Sequence, residues 1–198
     1  MVSGLAWEAI PSPVGELQLA CSADGLARVS FGLPASRPGP PGQAPPRARS
    51  LAAGARAQLA GYFAGRLREF TVPVDWSWAS HTQQRVLSAL LEAAAYGETV
   101  TYGELARLAG LGSDPDPGGP AGAVPPGRYS PPARVVGQVM GANQCPVIVP
   151  CHRVVAGNGL GGYSGGTGVE VKRWLLIFEG ALPPTLDWDP AGTALGNP

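Results

Sequence analysis

Apolar residues in the first sixth of the chain form three short runs that alternate with polar positions. The runs at residues 6–10 and 17–21 flank a Pro/Gly turn sequence, which is typical of a β-hairpin. A third run, at residues 26–31, follows an Asp-Gly pair. We therefore predict three β-strands, with Cys21 in the core that they cover.

The apolar spacing then changes to that of a helix at residues 51–63. Residues 34–49 before it are rich in Pro, Gly and Arg without periodicity, so we expect a flexible loop there. An extended segment is predicted at residues 70–76. These elements indicate a small N-terminal α/β domain over residues 1–78.

The second domain, residues 79–180, is predicted to be mainly helical. Helical spacing first occurs in residues 82–94. A second helix is expected to begin at Thr101, because Thr101 and Glu104 have the spacing of a capping box, and Gly110 suits its C-terminal cap. The predicted apolar face of the first helix consists of Val86, Leu87, Leu90 and Leu91.

A third helix is predicted at residues 132–140, and with the preceding one it forms a candidate helix-turn-helix. Residues 111–131 between them are Pro/Gly-rich and longer than the usual turn of about 3–4 residues. We expect a mobile loop there; the alternative is an extra DNA-facing element carrying Arg128 and Tyr129. Residues 181–198 are expected to form a flexible tail. The predicted fold class is α/β.

Charge and composition limit the functions that the chain can have. Its 14 basic and 14 acidic residues balance, which argues against a strong nonspecific nucleic-acid binder and leaves only local DNA contacts. The chain has three cysteines and two histidines at spacings that match neither a disulfide framework nor a metal site. With no signal pattern or membrane-spanning run, we expect a cytoplasmic protein.

The strongest candidate for chemistry is Cys151. The apolar run 147–149 predicts a buried strand or extended segment, and Pro150 ends it and presents Cys151 at a turn. His152 and Arg153 follow directly, and both side-chain types can generate or stabilise a thiolate. The alternative is that Cys151 is a buried small apolar residue, as an isolated cysteine usually is.

The sequence Pro-Val-Ile-Val-Pro-Cys-His-Arg-Val-Val at residues 146–155 resembles the active-site motif of the O6-alkylguanine-DNA alkyltransferases. This resemblance covers most of residues 80–180, and a weaker one runs through the N-terminal part. It implies a ribonuclease H-like N-terminal α/β domain without chemistry, followed by a mainly helical domain. The other matching segments are residues 96–106, 133–137, 161–166 and 172–176.

The resemblance implies a role for each residue of the catalytic group. Cys151 would accept the alkyl group, with His152 as its base through a water and Glu179 orienting the imidazole. Asn143 would brace the turn before the active site. Tyr102 would lie by the flipped base and donate a proton or hydrogen bond to the leaving guanine.

The resemblance also implies how DNA is held. Arg134 would enter the base stack and fill the gap left by the flipped nucleotide, with Ala133 and Gly137 beside it on a helix that faces the minor groove. The Ser164 backbone N–H would meet O6, and the carbonyls of Cys151 and Val154 would accept from the exocyclic amine. The implied pocket consists of Met140, Pro146, Val154, Tyr163 and Ser164.

The implied function is single-use repair of O6-alkylguanine, and of O4-alkylthymine, in double-stranded DNA by a monomer without cofactor, metal or membrane. One alternative is a noncatalytic relative that recognises alkylated bases, but such relatives lack the nucleophile that Cys151 supplies. Another is a helix-turn-helix regulator whose cysteine responds to methylation. That reading needs regulatory domains for which 198 residues leave little room.

Overall fold

A three-stranded antiparallel sheet opens the computed structural model, and its strand order is β1-β2-β3. All three strands have the predicted bounds: β1 is Ala6–Ile10, β2 is Leu17–Cys21 and β3 is Leu26–Phe31. Cys21 is fully buried in β2, which confirms its predicted place in the core. The structure describes residues 4–32, 44–112, 131–166 and 168–184.

Helix α1, Pro46–Phe63, packs across β1 and β2. It begins five residues before the predicted start, so residues 46–49, assigned to a loop, are helical. Pro46 does not prevent this, because a proline in the first turn needs no N–H partner and its fixed φ suits a helix. The buried face consists of Ala48, Ala52, Ala55, Leu59 and Tyr62.

The segment predicted to be extended, residues 70–76, does not join the sheet as a strand, and its last residue, Trp76, already belongs to a 3₁₀ helix. It makes a single parallel bridge, between Val74 and Leu26. This segment passes close to Gly25, where an added Cβ would lie 2.5 Å from the Pro73 carbonyl oxygen. A short 3₁₀ helix, Trp76–Trp78, then leads into the helical unit.

Helix α2, His81–Ala93, begins with a capping box between Ser80 and Gln83. Val86, Leu87 and Leu90 are buried as predicted. The prediction for Leu91 was wrong, because its side chain is 44% exposed and points away from the core.

Helices α3, Tyr102–Leu108, and α4, Pro132–Gly141, pack against each other. The predicted capping box at the start of α3 is confirmed: the Glu104 N–H donates to Thr101 Oγ1 at 3.2 Å and the Thr101 N–H to Glu104 Oε2 at 2.9 Å. Gly110 follows the end of this helix with φ of 63°. The loop predictions at residues 34–43 and 113–130, and the tail from residue 185, lie outside the described residues.

The run at residues 147–149 is buried as predicted but forms a turn, so the predicted strand or extended segment was wrong. Beyond it, a 3₁₀ helix, Cys151–Arg153, leads into β5, Val154–Val155. Strand β5 pairs in parallel with β4, Val100–Thr101. The last described helix is α5, Val169–Phe178.

The fold confirms an α/β protein with a small sheet unit followed by a mainly helical unit. One apolar cluster runs through both units, and aromatic rings from α1 and α5 meet within it. None of the helices that the structure describes is long and apolar enough to cross a membrane.

Candidate active site

The turn before Cys151 is held by the side chain of Asn143. Its Nδ2 donates to the Val149 carbonyl at 2.9 Å, and its Oδ1 accepts from the Cys145 N–H at 3.0 Å. Val147, inside the turn, has φ of 73°, a conformation that costs a β-branched residue energy. Asn143 therefore closes a strained turn and fixes where Cys151 begins the next helix.

The Cys151 thiol is almost completely enclosed. The residue is 5% exposed, and burial raises the pKa of its thiol, an effect that the Asn143 amide and the Lys172 charge partly oppose. A buried thiol of this kind stays protonated at neutral pH until a base takes its proton.

His152 is fully buried and lies next to a carboxylate. Its Nε2 is 3.0 Å from Glu179 Oε1, and because a carboxylate accepts, this nitrogen carries the proton. Burial lowers the pKa of His152, although the Glu179 carboxylate opposes this. The second ring nitrogen, Nδ1, has no hydrogen-bond partner among the described residues. The imidazole is therefore neutral and has one free lone pair.

Glu179 directly follows α5 and collects several donors. Arg153 Nε donates to Oε2 at 2.9 Å and Arg153 Nη2 to Oε1 at 2.9 Å, while the Tyr62 hydroxyl donates to Oε1 at 2.6 Å. Burial alone would raise the pKa of Glu179, but the hydrogen bonds from His152 and Arg153 bring it down to about 2. Glu179 is thus an anion that fixes the imidazole.

Arg153 differs from the expectation that it supports a thiolate. Its guanidinium is directed to Glu179 and also donates from Nη1 to the Ala94 carbonyl at 2.8 Å. Its positive charge therefore compensates the buried carboxylate.

Lys172 is a candidate site residue that sequence reasoning did not assign. It is fully buried, and its Nζ donates to the Val154 carbonyl at 2.6 Å and to the Gly162 carbonyl at 3.2 Å. Burial lowers the pKa of Lys172 to about 8, which leaves it mainly charged at neutral pH near Cys151. The helical spacing could have predicted that Lys172 is buried, because Leu175 and Leu176 lie on the same buried face of α5.

A cavity of about 400 Å³ opens beside Cys151. Tyr102 closes one side, and its hydroxyl donates to the Gly162 carbonyl at 3.4 Å. The Tyr163 hydroxyl is buried beside the Cys151 thiol, and burial raises the pKa of its phenol. The lining residues are Tyr102, Gly137, Met140, Gly141, Cys151, Gly162, Tyr163 and Ser164.

A second cavity, of about 380 Å³, shares Cys151 and Ser164 with the first. Phe31 at the end of β3 and Pro146 line it, so Pro146 and Met140 line different cavities. Val154 lines neither cavity. Its side chain is buried in the core, and its carbonyl is already bonded to Lys172.

Three of the predicted DNA-contacting residues, Ala133, Arg134 and Gly137, lie on the first two turns of α4, whereas Tyr102 is the first residue of α3. Ala133 and Arg134 are exposed, and Gly137 lines the first cavity. The structure therefore places Arg134 on the same helix as one wall of the cavity that holds Cys151.

Comparisons with known proteins cover both units. A family model of the 6-O-methylguanine DNA methyltransferase ribonuclease-like domain matches residues 5–76, and one of the DNA-binding domain of the same proteins matches residues 81–181. A methylated-DNA–protein-cysteine methyltransferase of Mycobacterium tuberculosis is 39% identical over 180 residues, 90% of this chain and 94% of the relative.

Two further relatives bear on DNA. A protein of Thermus thermophilus, named a DNA base-flipping protein, is 35% identical over 177 residues, 87% of this chain and 99% of that protein. The crystal structure of Mycobacterium tuberculosis OGT in complex with DNA is 36% identical with a TM-score of 0.64, and covers 87% of this chain and 92% of that one. Together with the two domain matches, these similarities place the chain in the 6-O-methylguanine DNA methyltransferase family.

Proposed function

We propose that this protein repairs DNA by moving the alkyl group of O6-alkylguanine onto Cys151. The observation that carries the proposal is a buried thiol at the wall of a cavity of about 400 Å³, followed in the chain by a neutral histidine held by a carboxylate. This is the arrangement of nucleophile, base and orienting group that covalent catalysis needs.

The reaction is a displacement at the alkyl carbon. The His152 lone pair takes the Cys151 proton through a water, and the resulting thiolate attacks the carbon. The new S–C bond forms as the C–O6 bond breaks, and the electron pair leaves with guanine. Tyr102 donates to the departing base; burial raises the pKa of its phenol, with a smaller contribution from Cys151, so the phenol remains a donor.

Guanine O6 takes part in base pairing, so the nucleotide must leave the stack to reach Cys151. The cavity has a size suited to one base, and α4 forms one wall while presenting Arg134 outside. A planar guanidinium can stack in the gap left in the duplex. We propose that Arg134 fills this gap.

Arg134→Ala is expected to slow repair of duplex DNA much more than reaction with free O6-benzylguanine, because the free base needs no extrusion. Both rates would be measured in single-turnover reactions. A matched control is Arg107→Ala, an exposed arginine in the last turn of α3. Equal losses on the two substrates would show that Arg134 serves the cavity or the fold.

Lys172→Met is expected to slow the reaction with free O6-benzylguanine by about tenfold, the equivalent of one charge-assisted hydrogen bond. Methionine keeps most of the side-chain volume but removes the charge that favours the thiolate. The thiolate absorbance of Cys151 would be followed against pH, with the exposed neighbour Arg173→Met as control. An unchanged thiol titration would contradict this role.

The product is a thioether, which water does not hydrolyse, and none of the residues that the structure describes around Cys151 offers a route to remove the alkyl group. Each protein molecule is therefore used once. Duplex DNA carrying radiolabelled O6-methylguanine, in excess over protein, should transfer label until each chain holds one methyl group. Continued transfer beyond one group per chain would contradict single use.

The same displacement would remove an alkyl group from O4 of thymine.

Similarity to a protein named for base flipping favours a second candidate, recognition of alkylated bases without transfer. The presence of Cys151 argues against it. Tight binding of alkylated DNA with no label on the protein would decide for this second function.

A further inference from the structure

The Tyr62 hydroxyl of α1 lies inside the buried network around His152, although the N-terminal unit was expected to carry no chemistry. We propose that Tyr62 is a positioning residue for alkyl transfer, because its hydroxyl fixes the carboxylate that orients and tunes His152. This inference rests on the proposed function, in which His152 accepts the Cys151 proton.

The geometry concerns a single oxygen atom. Glu179 Oε1 accepts from the Tyr62 hydroxyl at 2.6 Å, from His152 Nε2 at 3.0 Å and from Arg153 Nη2 at 2.9 Å. The Tyr62 phenol and the His152 imidazole therefore donate to the same oxygen atom. The hydrogen bond from Tyr62 makes that oxygen a weaker acceptor for the imidazole N–H.

The Tyr62 side chain is held in this place and stays protonated. It is fully buried, and burial and the Glu179 charge raise the pKa of its phenol far above the usual range. Its ring packs between aromatic side chains of both units, with centroids 5.0 to 6.0 Å away. These rings are Phe63, Phe70, Tyr96 and Phe178.

Removing only the hydroxyl has a defined electrostatic consequence. The carboxylate loses one donor, becomes more basic and holds a proton on His152 more strongly, so the pKa of His152 rises. Protonated His152 cannot accept the Cys151 proton. The substitution leaves the other charged and titratable neighbours unchanged: Arg153 and Lys172 act on His152, and Arg153 and Tyr96 face Glu179. Next to these lie Arg68, beside Tyr96, and Cys151, beside Lys172.

The test compares Tyr62→Phe with Tyr96→Phe. Both variants keep their ring in the same aromatic cluster, but the Tyr96 hydroxyl donates to the Phe178 backbone carbonyl at 3.3 Å and not to Glu179. Rates with free O6-benzylguanine would be measured across pH, so that DNA binding plays no part. Imidazole resonances would be titrated by NMR, with the chain's other histidine, the exposed His81, as internal reference.

For Tyr62→Phe we expect a rate loss of about tenfold near neutral pH that shrinks as the pH rises, with a raised His152 titration midpoint. Tyr96→Phe should keep the parent pH profile and the parent His152 titration. A purely structural tie between the units would lower the rate equally at every pH and leave the His152 titration unchanged. That result would overturn the proposal.

A converse variant keeps the inference testable if Tyr62→Phe folds poorly. A fluorinated tyrosine at position 62 is a stronger donor of similar shape, so the His152 midpoint should fall, and an unchanged or raised midpoint would overturn the proposal. The NMR titration reads the Tyr62 contact without any turnover. If the parent protein transfers no methyl group from O6-methylguanine DNA, the proposed function fails, while the NMR titration still decides whether Tyr62 tunes His152.

Discussion

Cys151→Ser is expected to abolish alkyl transfer while binding of alkylated duplex DNA persists. A serine hydroxyl is too weak an acid to lose its proton to His152, so the variant keeps the cavity but loses the nucleophile. Transfer would be measured with labelled O6-methylguanine DNA, and binding by a mobility shift of the same duplex.

The other two cysteines provide the controls for this prediction. Cys21 and Cys145 are buried free thiols, and burial raises the pKa of Cys21 to about 12 and that of Cys145 further still. Folded Cys21→Ala and Cys145→Ala proteins should therefore still accept the methyl group. Label on either of these residues, with Cys151 unmodified, would show that Cys151 is not the acceptor.

Glu179→Gln is expected to lower the free energy of unfolding by about 3–5 kcal/mol at neutral pH, the usual cost of removing one partner of a buried ion pair. The substitution leaves the Arg153 guanidinium, 7% exposed, without its counter-charge. Chemical denaturation would measure the loss. The matched control Glu170→Gln, exposed on the first turn of α5, should change stability by less than about 0.5 kcal/mol.

The stability lost in Glu179→Gln should become smaller as the pH falls. The pKa of Glu179 falls from its ordinary 4.5 to about 2 in the folded protein. Its contribution is therefore fully present above pH 4.5 and is lost as the pH falls through about 2. The stability gap between parent and variant should narrow over this window, and a gap that stays constant would contradict the assigned pair.

Local patterns predicted most of the fold. The strands at residues 6–10, 17–21 and 26–31, and the capping box at Thr101, depend on neighbours within a few residues, so the sequence contains their determinants. The prediction for residues 147–149 was wrong because the β-branched residues there favour a strand. Asn143 instead holds this segment as a turn through bonds that no alternation pattern encodes.

The site was predictable only where the motif itself carries it. Cys151 and His152 are adjacent in the chain, and resemblance supplied Glu179. Tyr62 is 117 residues from Glu179, and only the packing of α1 against the helical unit brings the two together. Lys172 was missed for a different reason, since a lysine on an apolar helix face is usually assigned to solvent.

The protein's mass after one round of reaction tests the central claim most directly. Parent protein would be mixed with duplex DNA containing O6-methylguanine, and the intact chain and its proteolytic peptides weighed. We predict a gain of one methyl group per chain, located on Cys151, with ordinary guanine restored in the DNA. Bound DNA that keeps its methyl group while the protein mass stays unchanged would contradict transfer to Cys151.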